Sequence, residues 1–152
     1  MDRTIRKATL RDAKKINELV FGYAKDGKML SRPLVYIAPR IRDFFVCVIE
    51  NEIVGCVGLR IWNMQWAEIM ALAVSPEHTG NGIASELVAT CLNEAETLGV
   101  EWVLILTFQH DLAEKAGFQK TDNTDLLPEV IFTEKTVNID KTYIMEIKPK
   151  NG

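Results

Sequence analysis

The chain has 152 residues, of which 47% are apolar, and its formal net charge is −3. This length suits one domain, which we predict to cover residues 1–152, and the apolar content is too high for a disordered chain. The small negative charge gives no reason to expect a nucleic-acid partner. No apolar stretch approaches the roughly 20 residues that cross a bilayer, and the residues after Met1 lack the apolar core of a signal peptide.

The first half of the chain predicts a short strand, two helices and a strand hairpin. Residues 9–12 resemble a capping box with Asp in place of Glu, and the apolar periodicity after them predicts the first helix. A polar loop separates this helix from a short second one within 33–41, which Pro39 should interrupt. Strand-like runs at 44–49 and 53–62 flank a polar turn and predict a hairpin.

The second half alternates strands and helices. A long strand is predicted over 64–74, before a Ser-Pro break and a Gly-x-Gly loop, and the next helix should run from Ile83 to Leu98 and end at Gly99. The continuous apolar run at 102–107 predicts a buried strand. This order indicates an α/β fold with a mixed sheet and helices on both faces. A short helix and two final strands are expected at 112–116, 118–121 and 141–147.

The three cysteines, Cys47, Cys56 and Cys91, all lie inside apolar segments. An odd count of buried thiols favours free cysteines and a reducing cytoplasm, which is the location that we predict. No pair of Cys or His residues has the spacing of metal ligands, so we predict no metal site.

The glycine loop before the long helix is the most informative segment. Gly80 and Gly82 let the backbone bend tightly and leave N–H groups unpaired where the helix begins. With the positive end of the helix dipole, these groups form an anion site suited to a phosphate. The third glycine of the dinucleotide fingerprint and the Gly-Lys-Ser/Thr ending of the P-loop are both missing, so the glycines alone are also compatible with an ordinary loop.

The loop resembles the Gln/Arg-x-x-Gly-x-Gly/Ala loop of the GNAT superfamily of N-acetyltransferases, with Thr79 in place of Gln or Arg. Residues 116–118 resemble the Gly-Phe step of that family, and the resemblance runs from about Arg3 to Ile147. It implies a GNAT fold with six to seven strands and acetyl-CoA as co-substrate. In the family the fourth and fifth strands splay apart and admit the pantetheine arm. The implied cofactor-binding residues are the strand backbone at Leu72, Ala73 and Val74 and the loop residues Thr79, Gly80, Asn81, Gly82, Ile83 and Ala84.

A narrower resemblance is to the stand-alone acetyltransferase type of N-acetylglutamate synthase, which implies L-glutamate as the acceptor. One departure is that many members carry cysteines after the Leu-Pro segment, whereas residues 132–140 contain none. The similarity rests on the order and spacing of the segments at 41–46, 53–56, 67–69, 72–74, 106–109 and 127–129.

Glu68 is the candidate general base, acting through a water molecule. Acetyl transfer needs an uncharged amine, and the apolar neighbours Trp66, Ile69 and Met70 would shield this carboxylate from solvent. Many family members carry their base at this position. From the residues alone, an exposed strand glutamate or an ion pair with Arg60 on the neighbouring strand stays open.

No general acid is evident for the leaving thiolate. The tyrosine position of many family members falls on Ala113, which cannot donate a proton. His110 and Thr107 are candidates, although His110 is equally compatible with a solvent-facing loop residue. A thiolate with a pKa of about 8.5 can also leave unprotonated. The expected donor to the thioester oxygen is the backbone N–H of Leu72 or Ala73.

Arginine side chains are the candidates for binding a substrate carboxylate, because the guanidinium offers two parallel hydrogen bonds. Arg32 is the first choice, since its segment covers the acceptor pocket in the family. Arg42, Arg60 and Lys28 are weaker candidates, and each of the four is also compatible with a solvated surface cation. His78 is a candidate phosphate contact or an exposed turn residue.

We therefore expect an acetyl-CoA-dependent N-acetyltransferase that acts on the α-amino group of an amino acid, first of all L-glutamate. One alternative is a GNAT enzyme for a polyamine, an antibiotic amine or a protein N-terminus. The other is a low-turnover, regulatory acyl-CoA-binding module. The expected partner is a small-molecule amine, with no nucleic acid or membrane, and a homodimer is left open.

Overall fold

The computed structural model describes residues 2–27, 29, 32–107, 109–121, 125, 127–129 and 142–147. Within these ranges the chain forms one seven-stranded sheet with the strand order β1-β2-β3-β4-β5-β7-β6. The β4–β5 pair is parallel and the β1–β2, β2–β3, β5–β7 and β6–β7 pairs are antiparallel, so the sheet is mixed, as predicted. The strands are β1 Arg3–Lys7, β2 Phe44–Ile49, β3 Glu52–Ile61, β4 Trp66–Val74, β5 Trp102–Leu106, β6 Gln119–Lys120 and β7 Thr142–Glu146. The helices are α1 Ala13–Ala24, α2 Leu34–Ile37, α3 Ile83–Leu98 and α4 His110–Ala116.

The chain divides into two compact units. The first unit comprises Met1–Gly58 with Ala71–Thr90, and the second comprises Leu59–Met70 with Cys91–Gly152. The boundaries fall inside β3, β4 and α3, and each unit is described by itself below.

In the first unit, β1, β2 and the first part of β3 form an antiparallel ladder. The hairpin predicted between β2 and β3 is confirmed. Glu50 and Asn51 form its turn with φ angles of 49° and 65°. Positive φ at both central residues matches the right-handed twist of the two strands, and asparagine tolerates this conformation better than most residues.

A 3₁₀ turn, Leu10–Asp12, precedes α1, and the predicted capping box lies at the start of this turn. The Thr9 backbone N–H donates to Asp12 Oδ2 at 2.7 Å, just after β1 and before the helix. Arg6 of β1 holds the same carboxylate through two hydrogen bonds, of 2.7 and 3.1 Å. This pairing lowers the pKa of the buried Asp12 carboxyl, because the Arg6 guanidinium favours its charged form.

Helix α2 is one turn long and continues into a 3₁₀ segment, Ala38–Asp43. Arg40 interrupts this segment with non-helical angles, φ −106° and ψ 16°. The interruption follows Pro39, which cannot donate a helical hydrogen bond. The predicted short and broken second helix is therefore confirmed.

Helix α3 buries one face, formed by Ile83, Leu87, Cys91 and Ala95. The predicted end at Gly99 is confirmed, since Gly99 has a φ of 86° and its N–H donates to the Ala95 carbonyl at 3.0 Å. Glycine at position 55 of β3 allows close helix packing in the first unit. A Cβ there would lie 3.1 Å from Leu87 Cδ1 and 3.2 Å from Ile83 Cγ2. All three cysteines are free and buried, as predicted.

In the second unit, the first half of β4 runs parallel to β5, from the Trp66–Trp102 pair to the Ile69–Ile105 pair. The Trp66 and Trp102 rings stack with their centroids 5.5 Å apart. Strand β7 pairs with β5 on its other side. Trp66, Leu104, Leu127 and Ile144 form the buried cluster of one face of this part of the sheet.

Helix α4 begins two residues earlier than predicted and ends at Gly117, whose φ is 102°. The final strands are shorter than predicted. None of the helices in the described ranges is long and apolar enough to cross a membrane.

Candidate active site

The glycine loop has the backbone geometry that the sequence predicts. Gly80 and Gly82 have φ angles of 82° and 81°, in the left-handed region that glycine adopts without strain. The first helical hydrogen bond of α3 is donated by the Glu86 N–H to the Gly82 carbonyl at 3.1 Å. The N–H groups before it have no acceptor within the helix. A Cβ on Gly80 would meet no atom within 4 Å, so the loop is open and fits a phosphate group.

Arg3 braces this loop from β1, which the sequence did not indicate. Its Nη1 donates to the Asn81 carbonyl at 2.6 Å, and its Nε donates to Glu86 Oε1 at 3.1 Å. The Arg3 Nη2 also lies 3.5 Å from the place of a Cβ on Gly82. Arg3 therefore fixes the carbonyl side of the loop and sets a positive charge beside the first turn of α3.

Thr79 and His78 lie in the turn before the glycines. Thr79 is exposed, and its Oγ1 donates to the Pro76 carbonyl at 3.0 Å, so the residue that replaces Gln or Arg stabilises its own turn. His78 is half-buried rather than exposed. Its Nδ1 is shielded from solvent and has no hydrogen-bond partner among the described residues.

The second half of β4 contains a strained residue that no sequence pattern predicted. Ala71 has a φ of 54°, in the left-handed region that non-glycine residues rarely adopt. Cys56 on β3 donates its thiol hydrogen to the Ala71 carbonyl at 3.4 Å. Residues in this conformation inside a strand redirect the amides that follow, and such irregularities recur beside active sites. The next residues are Leu72, half-buried, and Ala73 and Val74, both buried.

Tyr23 of α1 reaches the same part of β4 in the first unit. Its hydroxyl donates to the Val74 carbonyl. A carbonyl oxygen has two lone pairs, so this bond leaves one for a further donor. Removal from water raises the pKa of the Tyr23 hydroxyl, which keeps it protonated as a donor.

Glu68, in the second unit, is a buried carboxylate with only 2% of its surface exposed. The alternative of an exposed strand glutamate is therefore wrong. The Trp62 indole Nε1 donates to Glu68 Oε1 at 3.0 Å. The predicted apolar neighbours Trp66, Ile69 and Met70 are all buried as well. Glu68 thus lies in an apolar part of the sheet with one carboxylate oxygen held by a neutral donor.

Arg60 joins this arrangement through Trp62. Its guanidinium carbon lies 3.8 Å from the centroid of the indole ring, which is a close cation–π contact. Arg60, Trp62 and Glu68 therefore form a connected set within the second unit. Sequence reasoning named Arg60 and Glu68 but missed Trp62, since a tryptophan near the end of a strand is most often a packing residue.

Arg32 is half-buried just before α2. Asn17 of α1 donates to the Arg32 carbonyl at 2.7 Å, and the Arg32 guanidinium carbon lies 5.1 Å from the centroid of the Tyr36 ring. Its Nε is shielded from solvent and has no hydrogen-bond partner among the described residues. A buried donor without an acceptor is costly, so this nitrogen is suited to an anionic ligand.

Arg42 lies at the other end of the segment and is exposed. Lys7 donates its Nζ to the Arg42 carbonyl. Arg42 therefore has a structural contact through its backbone. Its side chain makes no contact with the described residues that would indicate a role. Lys28 lies outside the described residues.

The predicted candidates for a general acid lie around α4. Ala113 is 1% exposed and packs in the interior. Thr107 Oγ1 accepts a hydrogen bond from the Gln109 N–H at 2.9 Å. His110 is exposed at the start of α4, and its Nδ1 is hydrogen-bonded to the hydroxyl of Tyr143 on β7. Sequence reasoning missed Tyr143, because only the fold brings it to His110.

Within the described residues, no group of three or more His, Cys, Asp or Glu side chains is close enough to hold a metal ion. The residues that could hold acetyl-CoA are the loop at 79–84 and the backbone at 72–74. The sequence also predicted both of them as cofactor-binding residues.

Comparison with known proteins identifies the family. A family model described as the acetyltransferase (GNAT) family matches residues 13–118. An uncharacterized N-acetyltransferase of Chlorobaculum tepidum is 32% identical over 135 residues, which cover 89% of this chain and 86% of that protein. An amino-acid acetyltransferase of Mycobacterium tuberculosis is 32% identical over 130 residues, covering 83% of this chain and 74% of that protein.

Solved structures show the same fold. The N-acetylglutamate synthase of Neisseria gonorrhoeae, in complex with coenzyme A and N-acetylglutamate, superposes with a TM-score of 0.86 at 22% identity and matches 97% of this chain. This chain spans only 36% of that synthase. A Mycobacterium tuberculosis protein in complex with CoA superposes with a TM-score of 0.79 at 25% identity, covering 95% of this chain and 98% of that one.

The glycine loop, the mixed sheet, the family match and the relatives agree with one another. Acetyl-CoA is the acetyl donor of this family, and the open loop at the start of α3 fits its phosphates. The chain belongs to the GNAT family of acetyltransferases and is an N-acetyltransferase.

Proposed function

We propose that the enzyme transfers the acetyl group of acetyl-CoA to the α-amino group of an amino acid, with L-glutamate as the leading acceptor. The observation that carries this proposal is the half-buried Arg32, whose shielded Nε lacks a partner among the described residues. The amino-acid acetyltransferase of Mycobacterium tuberculosis and the complex of the gonococcal synthase with N-acetylglutamate support it. A glutamate acetyltransferase would serve arginine biosynthesis in the cytoplasm.

Acetyl-CoA is bound by two backbone segments in this proposal. The N–H groups of Thr79, Gly80, Asn81, Gly82, Ile83 and Ala84 hold the pyrophosphate, helped by the positive end of α3. The backbone of Leu72, Ala73 and Val74 pairs with the pantetheine arm as an added strand would. The strained Ala71 supports this role, because it redirects the amides that follow it.

Glu68 acts as the general base through a water molecule. It accepts a proton from the amine while the amine attacks the thioester carbonyl, and a backbone N–H of Leu72 or Ala73 stabilises the oxyanion. Trp62 orients the carboxylate through its bond to Oε1. The electron pair of the broken C–S bond leaves with the sulfur of coenzyme A.

The acceptor is held by its carboxylate. Arg32 offers a guanidinium whose Nε needs an acceptor, and two parallel hydrogen bonds would satisfy it. Arg60 is the next candidate, with the face of its guanidinium on the indole of Trp62. Arg42 is the third, although its exposed position supports it least.

A substrate panel tests the proposal. The purified protein is mixed with acetyl-CoA, a thiol-trapping reagent and each of the common amino acids, and thiol release is followed over time. We expect L-glutamate to give the highest kcat/KM. Thiol release with other amino acids but not with glutamate would exclude glutamate, and release with no amino acid would exclude amino-acid acetylation.

A second acceptor class follows from the sequence of the C-terminal region. Residues 132–140 contain no cysteine, unlike many synthases of the glutamate type. A polyamine, an antibiotic amine or a protein N-terminus is therefore the alternative acceptor, and the same panel should include spermidine and a short peptide. Binding of acetyl-CoA without turnover across the whole panel would instead identify a regulatory acyl-CoA-binding module.

A further inference from the structure

We infer that Tyr143 donates the proton that the sulfur of coenzyme A receives when the thioester breaks, and that His110 holds and reloads Tyr143. This inference rests on the proposed function, because it assigns a step of that reaction. It supplies the general acid that the buried Ala113 cannot provide.

Strand register places Tyr143 beside the point where β4 and β5 part. The pairing of β4 with β5 ends at Ile69 and Ile105. Ile105 is also paired with Tyr143 of β7. Directly paired residues point to the same face of a sheet, and neighbouring strands lie about 4.8 Å apart. Tyr143 is therefore one strand away from the end of the β4–β5 ladder, in the same row and on the same face as Ile69 and Ile105.

The candidate base lies on the opposite face. Glu68 is paired with Leu104, and Leu104 is paired with Ile144, so these three residues point away from the row that contains Tyr143. A thioester that enters where the strands part would present its carbonyl to one face and its sulfur to the other. The amine would lose its proton to Glu68 on one side, and the sulfur would receive its proton from Tyr143 on the other.

The surroundings of the Tyr143 hydroxyl suit a proton donor. Tyr143 is 2% exposed, and its hydroxyl is hydrogen-bonded to His110 Nδ1, while the two ring planes are tilted by 56°. Removal from water raises the pKa of Tyr143, and the carboxylates of Glu114 and Asp111 on α4 raise it further. The side-chain charge facing it from the neighbouring strand is that of Lys120, its partner on β6. The hydroxyl therefore keeps its proton until the C–S bond breaks and negative charge forms on the sulfur.

The proton balance of the step is complete. The C–S bond breaks and its electron pair moves to sulfur, while the Tyr143 Oη–H bond breaks and its proton moves to sulfur, giving the free thiol. The Tyr143 oxygen then regains a proton from water through His110, whose Nδ1 is hydrogen-bonded to it. Water can reach His110 because this residue is exposed at the start of α4.

The test compares Tyr143→Phe and His110→Ala with Lys115→Ala, which changes an exposed residue of the same helix. We expect Tyr143→Phe to lower kcat about 10- to 100-fold, at the low end for acid catalysis because a thiolate is already a good leaving group. The KM and the calorimetric Kd for acetyl-CoA should stay within about twofold, and Lys115→Ala should match the wild type. His110→Ala should also lower kcat, and His110→Asn should recover part of that loss, because it restores a donor close to Nδ1.

The double variant distinguishes two residues that act in the same catalytic step from two residues whose replacement lowers kcat independently. If His110 acts through Tyr143, adding His110→Ala to Tyr143→Phe should lower kcat no further, whereas independent losses would multiply. A Tyr143→Phe enzyme with wild-type kcat would overturn the inference. If Tyr143→Phe does not fold, His110→Ala decides, and wild-type kcat in that variant would overturn it equally. A wild-type protein that acetylates no amine would refute the proposed function instead.

Discussion

Glu68 combines near-complete burial with a hydrogen bond from a neutral donor. Burial limits the bulk solvent that would otherwise compete for the carboxylate, and the Trp62 indole fixes one of its oxygens. The indole N–H is a neutral donor that orients the carboxylate. At the scale of single residues, three side chains therefore carry testable roles: Glu68 as base, Trp62 as the residue that positions it, and Arg32 as the carboxylate anchor.

Glu68→Gln keeps the shape of the side chain and removes its ability to accept a proton. We expect the chemical step to slow by roughly 10²–10⁴-fold, the usual range for general base catalysis, with little change in acetyl-CoA affinity. The loss should shrink at high pH, because an α-amino group with a pKa of about 8 then arrives uncharged. Single-turnover rates between pH 6.5 and 10 measure this, with the exposed Glu52→Gln as control. Unchanged turnover near pH 7 would show that Glu68 is structural.

Trp62→Phe removes the indole N–H and keeps an aromatic face for Arg60. A hydrogen bond to a charged group contributes about 1.5–3 kcal/mol, and part of this should appear as a fall in kcat of about 5- to 50-fold. In the Glu68→Gln background the same change should cost much less, since the oriented carboxylate is already gone. Trp102→Phe is the control, because Trp102 stacks on Trp66 and should affect stability rather than kcat. Equal losses in both backgrounds would argue against a positioning role.

Arg32→Ala should weaken the use of glutamate about 10- to 100-fold, mostly through KM, because a charge-assisted bond contributes about 1.5–3 kcal/mol. Arg32→Lys should recover only part of this loss, since an ammonium group cannot form two parallel bonds. Steady-state kinetics with glutamate and calorimetry with acetyl-CoA measure the two ligands separately, and acetyl-CoA binding should be spared. Unchanged glutamate kinetics would mean that Arg32 does not bind the carboxylate, and Arg60, Arg42 and Lys28 would be the next candidates.

At the scale of elements, the loop and the helix that it opens act together. Two left-handed glycines turn the chain into α3, and Arg3 of β1 fixes the loop from its carbonyl side. The bond between Arg3 and Asn81 occupies a carbonyl and leaves the N–H groups for an anion. The strand β1, at the beginning of the chain, therefore holds the loop in place.

Gly82→Val should abolish binding of acetyl-CoA while the protein stays folded. A branched side chain is strained at a φ of 81° and would crowd both the phosphate and Arg3. Gly99→Val is the matched control, because Gly99 has a φ of 86° with nothing within 4 Å of its Cβ and lies at the far end of α3. Both variants should lose similar stability, and only Gly82→Val should lose binding in a calorimetric titration. Equal affinity in both would mean that the loop has another purpose.

Local patterns were sufficient to predict most elements. Hydrophobic periodicity identified α1 and α3. Pro39 marked the break in the second helix and Gly99 the end of α3, because proline and glycine constrain or free the backbone wherever they occur. The strain at Ala71 could not be predicted, since an alanine carries no signal for a left-handed conformation and only the surrounding sheet imposes it.

At the scale of the molecule, the contacts that sequence reasoning missed join residues far apart in the chain. Arg3 contacts Asn81 and His110 contacts Tyr143 across 78 and 33 positions. Such pairs follow from the tertiary packing of distant elements, which no local pattern contains. The sequence identified Glu68 as the candidate base because an acidic residue within an apolar strand is unusual. It did not identify the donor Trp62, because a tryptophan most often serves as a packing residue. The structure divides the chain into two compact units, and the single domain over residues 1–152 stays a prediction.

Acid unfolding tests how one of these tertiary contacts supports the whole molecule. Arg6 lowers the pKa of the buried Asp12 carboxyl below its usual range through two hydrogen bonds. A carboxyl with a lowered pKa in the folded state stabilises the protein above its unfolded pKa of about 3.9, and that contribution is lost as the pH falls through the folded value. Asp12→Asn should therefore cost about 1–2 kcal/mol at pH 7, a range that allows for the partial exposure of Arg6.

The difference between wild type and Asp12→Asn should narrow steadily below about pH 4, because protonation removes the same charge from the wild type. Urea unfolding at pH 7, 5, 4 and 3 measures it, with Asp26→Asn as the control at an exposed position after α1. The Thr9 N–H at the start of the 3₁₀ turn donates to the same Asp12 carboxylate, so the variant should loosen the junction of β1 and α1 as well as the ion pair. A difference that stays constant from pH 7 to pH 3 would mean that shape and hydrogen bonding, rather than the charge, hold this junction.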